Sequence, residues 1–527
     1  MKRPNVKTTI ATFLLTTLCE SPAFATDVAR AQPFASNGDG TYSNPPLYAD
    51  FPDPDIIRVG DDFYFATTTF ANTPGLTILH SRDLVHWEYT GHVMARLDGL
   101  DAYDLRGGTA YRAGVYAPSL RYHDGVFYIA VTPNGQNTRI YRATDIKGPW
   151  TYTELDRAAF DPGLFFDRDG TGYIATSGGW DGTLTLLTLN ADYSQIAASK
   201  AVYYNKGAEG SKLIHRGEWY YLFNAIPSRL GLTVSRARSL DGPWETHDQI
   251  DDRTGGHQGA LVDLPNGEWY GFVMVDAGAI GRMTRISPIF WQDDWPVWGT
   301  PAAPGRVPAS ATLPLPAHPE LRLATSDNFD SKVLGLQWQW NHNPDDSRWT
   351  LTERPGFLRL KATRSDAFWT ARNTLTQKGF GPSSQAIVRL DVGHLHPGDR
   401  CGIGTLGKFN AQATVETTAD GHRSLSLRLD EDTVEGQRTS ILAPSIPLQG
   451  DILYLRTEMD FTTARGQIAY GADGAAWSPL GGDFPLAYDW RTGTFQGPQF
   501  AMFCFNPADS DGYLDIDSFD LMIGAAH

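Results

Sequence analysis

Three acidic residues recur at nearly the same step of a repeated pattern, and carboxyl groups placed that way could share acid and base chemistry. Asp53, Asp161 and Glu209 stand nine, nine and eight residues upstream of the second aspartate or the glycine of a following turn. Equal phase in a repeat means equivalent positions in space, so the three carboxyls are expected to converge. Repulsion and desolvation make such a cluster costly unless it is used. Two carboxyls with separated pKa values suit glycoside hydrolysis. One stays protonated to protonate the leaving oxygen, and the other is ionised to activate water or attack carbon. A third can hold the acid's pKa up with its own charge. Glutamate reaches further than aspartate, so Glu209 is the natural acid, and Asp53 and Asp161 divide the base and modulator roles. A single Asp-Pro dipeptide would read as a turn start, and Asp55 needs no other reading.

The elements that must position these groups form a five-fold repeat of strand, turn and aromatic strand. The turns fall at Asp61-Asp62, Asp124-Gly125, Asp169-Gly170, Arg216-Gly217 and Asn266-Gly267, spaced 63, 45, 47 and 50 residues apart. That spacing fits four-stranded propeller blades rather than helical repeats. The first strand of each blade lines the axis, so Asp53, Tyr116, Asp161, Glu209 and His257 are expected to meet there. Blade tails repeat too, and Trp87, Trp150 and Trp244 at a common place read as packing between neighbours. Prolines punctuate residues 301–325, which read as a semi-rigid linker. Beyond it, runs such as Phe357–Ala362 and Leu453–Met459 alternate with period two, the pattern of strands with one face in a core. About 200 such residues make a β-sandwich. The expected fold is all-β: a five-bladed β-propeller over 26–300 and a β-sandwich over 326–527.

Composition narrows the function classes. A net charge of −16 argues against nucleic acid and anionic membranes as partners, since both need a basic face. Aromatics at 12% suit sugar-stacking surfaces, although sheet packing accounts for most of them. Lys2, Arg3 and Lys7, the apolar run Thr8–Leu18 and Ala23-Phe24-Ala25 read as a signal peptide over 1–25, with a periplasmic or secreted product. Only Cys401 and Cys504 then remain. Export permits their pairing, but no spacing supports it, and buried free thiols are the favoured reading. Neither a Cys/His metal spacing nor a phosphate-cradling glycine loop occurs, so no cofactor is required.

Phe51-Pro52-Asp53-Pro54-Asp55, Phe160-Asp161-Pro162-Gly163 and Ala208-Glu209-Gly210-Ser211 resemble the three catalytic motifs of glycoside hydrolase family 43. Asp327-Asn328-Phe329-Asp330 and Arg354–Leu360 resemble the C-terminal sandwich, a concanavalin-like jelly roll, of its β-xylosidase-type members. The resemblance implies inverting chemistry with Asp53 as general base, Asp161 as pKa modulator and Glu209 as general acid. It also implies that Arg282 binds sugar hydroxyls and that Phe70 and Tyr116 wall the pocket. His257 matches a histidine that in some members helps hold a hydrated calcium ion, and it equally reads as a core histidine. Two departures touch the substrate. Tyr116 stands where many members have Trp, and Ala71-Asn72-Thr73-Pro74 lacks a Glu-Trp-Phe found in well-known β-xylosidases.

The expected activity is release of terminal xylose or arabinofuranose from plant cell-wall oligo- or polysaccharides. The sandwich is expected to close one side of the pocket through the loop Asn506–Gly512. Three alternatives stand beside this reading: an endo-arabinanase with an open groove, a retaining fructosidase, and a non-catalytic carbohydrate-binding propeller.

Overall fold

Short alternating runs between Asp- and Gly-marked turns cannot bury both faces alone, and here they stack as blades. The computed structural model describes residues 34–177, 181–250, 256–433, 436–491 and 495–524, so the signal-peptide reading of 1–25 lies outside the described residues. The first blade runs Asp55–Val59, Asp62–Thr67, Gly75–Ser81 and Trp87–Met94. Four further antiparallel sheets begin with Ser119–His123, Gly163–Phe166, Glu209–Arg216 and His257–Asp263. The inner strands of the last and first blades adjoin, which closes the ring. No α-helix occurs among the described residues, and none of their helices is long and apolar enough to cross a membrane.

Two devices hold the ring. The strand Thr41–Leu47 pairs with Ser310–Thr312, so the prolyl segment lies along the propeller. Asn44 fixes that strand to the fifth blade, its Nδ2 donating to Ile286 O at 2.7 Å and its Oδ1 accepting from Ile286 N at 3.0 Å. Near the axis, Asp55 is buried and accepts from Leu120 N and Arg121 Nη1, with Lys212 Nζ at 3.4 Å. A buried carboxylate is tolerable when so matched, and this one ties blades one, two and four together.

The remaining chain forms two facing sheets, antiparallel except where Thr363–Arg364 pairs parallel with Gln499–Asn506. One is ordered around Gln499–Asn506, the other around Ser383–Asp391 and Tyr513–Gly524. Cys401 and Cys504 face each other on neighbouring strands and form a disulfide. This corrects the reading of free thiols. Pairing depends on strand register, which residue spacing alone does not reveal.

Sandwich and propeller share a core. Asn72–Thr73, inside the first blade, pairs with Gln339–Asn341 and so becomes an edge of a sandwich sheet. Tyr111 stacks on Trp369 with ring centroids 3.7 Å apart and donates from its hydroxyl to Trp369 O. Phe51 of the propeller and Trp340 and Phe380 of the sandwich belong to one buried cluster. Removing the sandwich would expose that apolar face. A chain ending at residue 320 is therefore expected to aggregate or melt lower. Its turnover of a soluble disaccharide should fall more than about tenfold, because a loosened site loses its positioning. Calorimetry and steady-state rates on both forms check this, and a soluble fragment with the full rate would contradict it.

Candidate active site

A left-handed residue lies within two positions of the start of each inner strand, where the chain turns from the blade connection onto the axis. These are Asp53, Ala117, Asp161, Gly210 and Gln258, with φ of 53°, 49°, 44°, 59° and 47°. Aspartate tolerates this region better than most residues. The phase is thus finer than sequence counting suggests. Asp53 and Asp161 share one step, whereas Glu209, Tyr116 and His257 stand one residue earlier. Register shifts at Glu209/Lys212 and His257/Gly259 absorb the offset, and the longer glutamate still reaches the centre.

The strand heads open into a cavity of about 360 Å³ lined by Asp53, Asp161, Glu209, Tyr116, His257, Arg282 and Phe70, so all seven expected residues meet there. Asp53 is only 4% exposed. Its Oδ1 accepts from Arg282 Nη1 at 3.0 Å and its Oδ2 from Thr68 Oγ1 at 2.7 Å. Thr68 is itself fixed, accepting from Ala117 N at 2.8 Å. Both oxygens of Asp53 are therefore aimed, one by a charge and one by a hydroxyl. Asp161 accepts from Gly210 N at 3.2 Å, and its pKa is pushed up first by burial and then by the Asp53 charge. Glu209 is pushed up as well, by burial first, then by Asp161 and Asp53, with Arg282 opposing. Surrounding protein desolvates both, although each keeps an opening onto the cavity.

Arg282 supplies the compensating charge. Its Nε and Nη2 are buried without a protein partner, so two donors face the site unsatisfied. Buried donors in that state favour a ligand that accepts from them. The guanidinium carbon lies 5.3 Å from the Phe70 ring centre. Phe70 is left-handed and held by paired backbone bonds with Val115, so close that a Cβ on Gly114 would fall 2.1 Å from Phe70 O. Tyr116 accepts from Asn134 Nδ2 at 3.0 Å. His257 Nε2 lies 3.6 Å from Asp276 Oδ1, too far for a hydrogen bond, and neither ring nitrogen has a protein partner.

The sandwich does border the cavity, but not through Asn506–Gly512, which is a correction. Its contributions are Tyr488, Trp490 and Phe495. The strand Gln499–Asn506 has its near end at the propeller, where Gln499 accepts from Asn72, and its far end carries Asn506 away to Asp399. Phe495 stacks on Phe70 at 5.5 Å with an 8° interplanar angle. Of the stretch Phe70–Pro74, only Phe70 lines the cavity, and Asn72–Thr73 serve the sandwich sheet. Arg112, Phe160 and Asp276 also line it and were not singled out from sequence. The aromatic run Tyr488-Asp489-Trp490, outside any alternating segment, was the available signal.

Elsewhere, Asp391, His394 and Asp515 gather donor atoms within 4.8 Å. Arg354 and Arg359 already neutralise both aspartates, so this group reads as an ion-pair network.

Family comparison agrees with this geometry. Residues 42–296 match the model of glycosyl hydrolases family 43, and residues 326–522 match that of the β-xylosidase C-terminal concanavalin A-like domain. A putative beta-xylosidase of Xylanibacter ruminicola is 35% identical over 68% of this chain and 70% of its own. The chain belongs to glycosyl hydrolase family 43. Another relative, a non-reducing end alpha-L-arabinofuranosidase of Bacteroides ovatus, is 34% identical over 61% of this chain and 65% of its own. A bifunctional family 43 protein of Bacteroides eggerthii superposes with a TM-score of 0.85 at 33% identity, over 92% of this chain and 64% of that longer one. The fold of this family 43 enzyme is the expected propeller and concanavalin-like sandwich, and the non-catalytic and fructosidase readings fall away. Trp490, 42% exposed at the cavity, offers a stacking face on the sandwich side. Trp490→Ala is expected to raise KM for an oligosaccharide about tenfold, roughly the worth of one lost aromatic contact, with little change for a small aryl glycoside. Steady-state kinetics on both substrates checks this.

Proposed function

We propose that this family 43 enzyme is an exo-acting, inverting pentosidase that releases terminal xylose or arabinofuranose from xylan- or arabinan-derived chains. The observation that carries the reading is the contrast between two carboxyls in one cavity. Asp53 is held as an acceptor by Arg282 and Thr68, while burial and two neighbouring carboxyls favour the protonated form of Glu209.

The roles follow from those states. Asp53 takes a proton from a water, whose oxygen attacks the anomeric carbon. Glu209 gives its proton to the glycosidic oxygen as the carbon–oxygen bond breaks, and the sugar leaves with inverted configuration. Asp161 keeps Glu209 protonated through its own charge. The free N–H groups of Arg282 bind sugar hydroxyls, and Phe70 with Phe495 forms the apolar wall. The aromatic side chains of the sandwich enclose the pocket and suit a chain end better than a chain interior, and the names of the relatives point to both pentoses. A hydrated calcium ion would be reached by His257, with Asp276 beside it. Two side chains fall short of a dedicated calcium cage, so water would supply the remaining contacts. The unpartnered nitrogens of His257 are compatible with this, and no step depends on the ion.

Glu209→Gln is expected to lower kcat by about 10²-fold or more on a disaccharide, the usual worth of a general acid, with much smaller loss on an aryl glycoside whose leaving group needs no proton. Equal losses would remove Glu209 from the acid role. NMR of the first-formed product on a β-xyloside should show the α-anomer, and a β-anomer would contradict inversion.

A further inference from the structure

The carboxylate of Asp50 lies at a point where three elements meet. It sits three residues before Asp53, is 4% exposed, and touches neither the cavity nor any expected site residue's side chain through a hydrogen bond. Its Oδ1 accepts from the backbone N–H of Arg282 at 2.7 Å. Its Oδ2 accepts from the backbone N–H of Gly497 at 3.1 Å. The first bond fixes the start of the strand that carries Arg282. The second fixes the sandwich loop that carries Phe495 and Gln496, whose Nε2 in turn donates to Thr69 O at 3.0 Å beside Phe70.

The fit around this carboxylate is close. A Cβ on Gly281 would fall 2.5 Å from Asp50 Oδ1, and one on Gly497 would fall 1.8 Å from Ile280 O. The loop and the strand therefore touch backbone to backbone, with one carboxylate bridging their N–H groups. Such charge-assisted bonds are stronger than neutral ones, and a buried carboxylate demands them. The nearby cations are Arg282 and Lys378, a sandwich lysine buried without a hydrogen-bond partner and 5.0 Å from the Phe51 ring centre.

We propose that Asp50 is a positioning residue that couples the sandwich to the catalytic centre, holding the Arg282 backbone and the Phe495 loop in one register. It acts through Arg282, which reaches Asp53 and leaves its free donors to the terminal sugar. This rests on the pentosidase reading of the cavity, and it explains why the sandwich is part of the active site rather than an appendage.

The test is a double-mutant cycle on the full chain between Asp50→Asn and Arg282→Lys. Asp50→Asn keeps the shape but offers one acceptor where two are needed. It is expected to raise KM for the terminal sugar about tenfold with a smaller effect on kcat, and the double variant should be within about twofold of Arg282→Lys alone, since contacting residues are non-additive. A purely structural Asp50 would give multiplying losses, and that result would overturn the proposal. Lys378→Met is a second variant should Asp50→Asn fail to fold. It removes the charge facing Asp50 and is expected to raise KM without multiplying the Arg282→Lys loss, whereas an unchanged KM would overturn the coupling. Pentose binding by calorimetry gives the same cycle if the wild type does not hydrolyse pentosides, an outcome that would sink the pentosidase reading alone.

Discussion

The constraint on which the structure depends is that Asp53, Asp161 and Glu209 crowd one desolvated cavity in which Arg282 bonds directly to Asp53. Repulsion among them would scatter the strand heads if the chain were free to relax. The propeller does not allow this, because each carboxyl is carried at the start of an inner strand or two residues before it, and each blade packs on both neighbours. Arg282 offsets one negative charge by bonding Asp53. The remaining cost is met by protonation at Glu209, which burial and the neighbouring Asp161 and Asp53 charges favour. On the proposed roles, the acid is thus produced by the same crowding that the fold enforces.

Asp55 with Arg121 and Lys212 forms a matched set that keeps the inner strands together, and the Lys212 charge also opposes the rise at Asp161. Above them, the sandwich completes the wall. Its role follows from shared hydrogen bonding and shared core: one propeller segment joins its sheet, and one of its loops stacks on Phe70. Catalytic groups come from the propeller and enclosure from the sandwich, a division in which neither part is finished alone.

Much of this was legible in the sequence because repeats carry phase. Turn spacing identifies the blades, and phase within a blade places Asp53, Asp161 and Glu209 at one axis. What remained hidden depends on register and loop path. Cys401 and Cys504 meet only because two strands align in one of many registers. The pocket-closing loop was misplaced because both ends of Gln499–Asn506 carry polar residues, and nothing local says which end faces the propeller. Asp50 reads as one more aspartate near a turn until its two backbone partners, 232 and 447 residues away, are visible.

The central claim is that neighbouring carboxylate charge holds Glu209 protonated. The most direct measurement is the alkaline limb of the kcat/KM–pH profile in wild type and Asp161→Asn. In wild type that limb is expected well above the ordinary carboxylate range, because burial and the neighbouring carboxylates raise the pKa of Glu209 and activity is lost as pH rises through it. Removing the Asp161 charge should move the limb to lower pH, leaving only the part of the shift due to burial and Asp53. A limb that stays in place in an active Asp161→Asn enzyme would contradict the account.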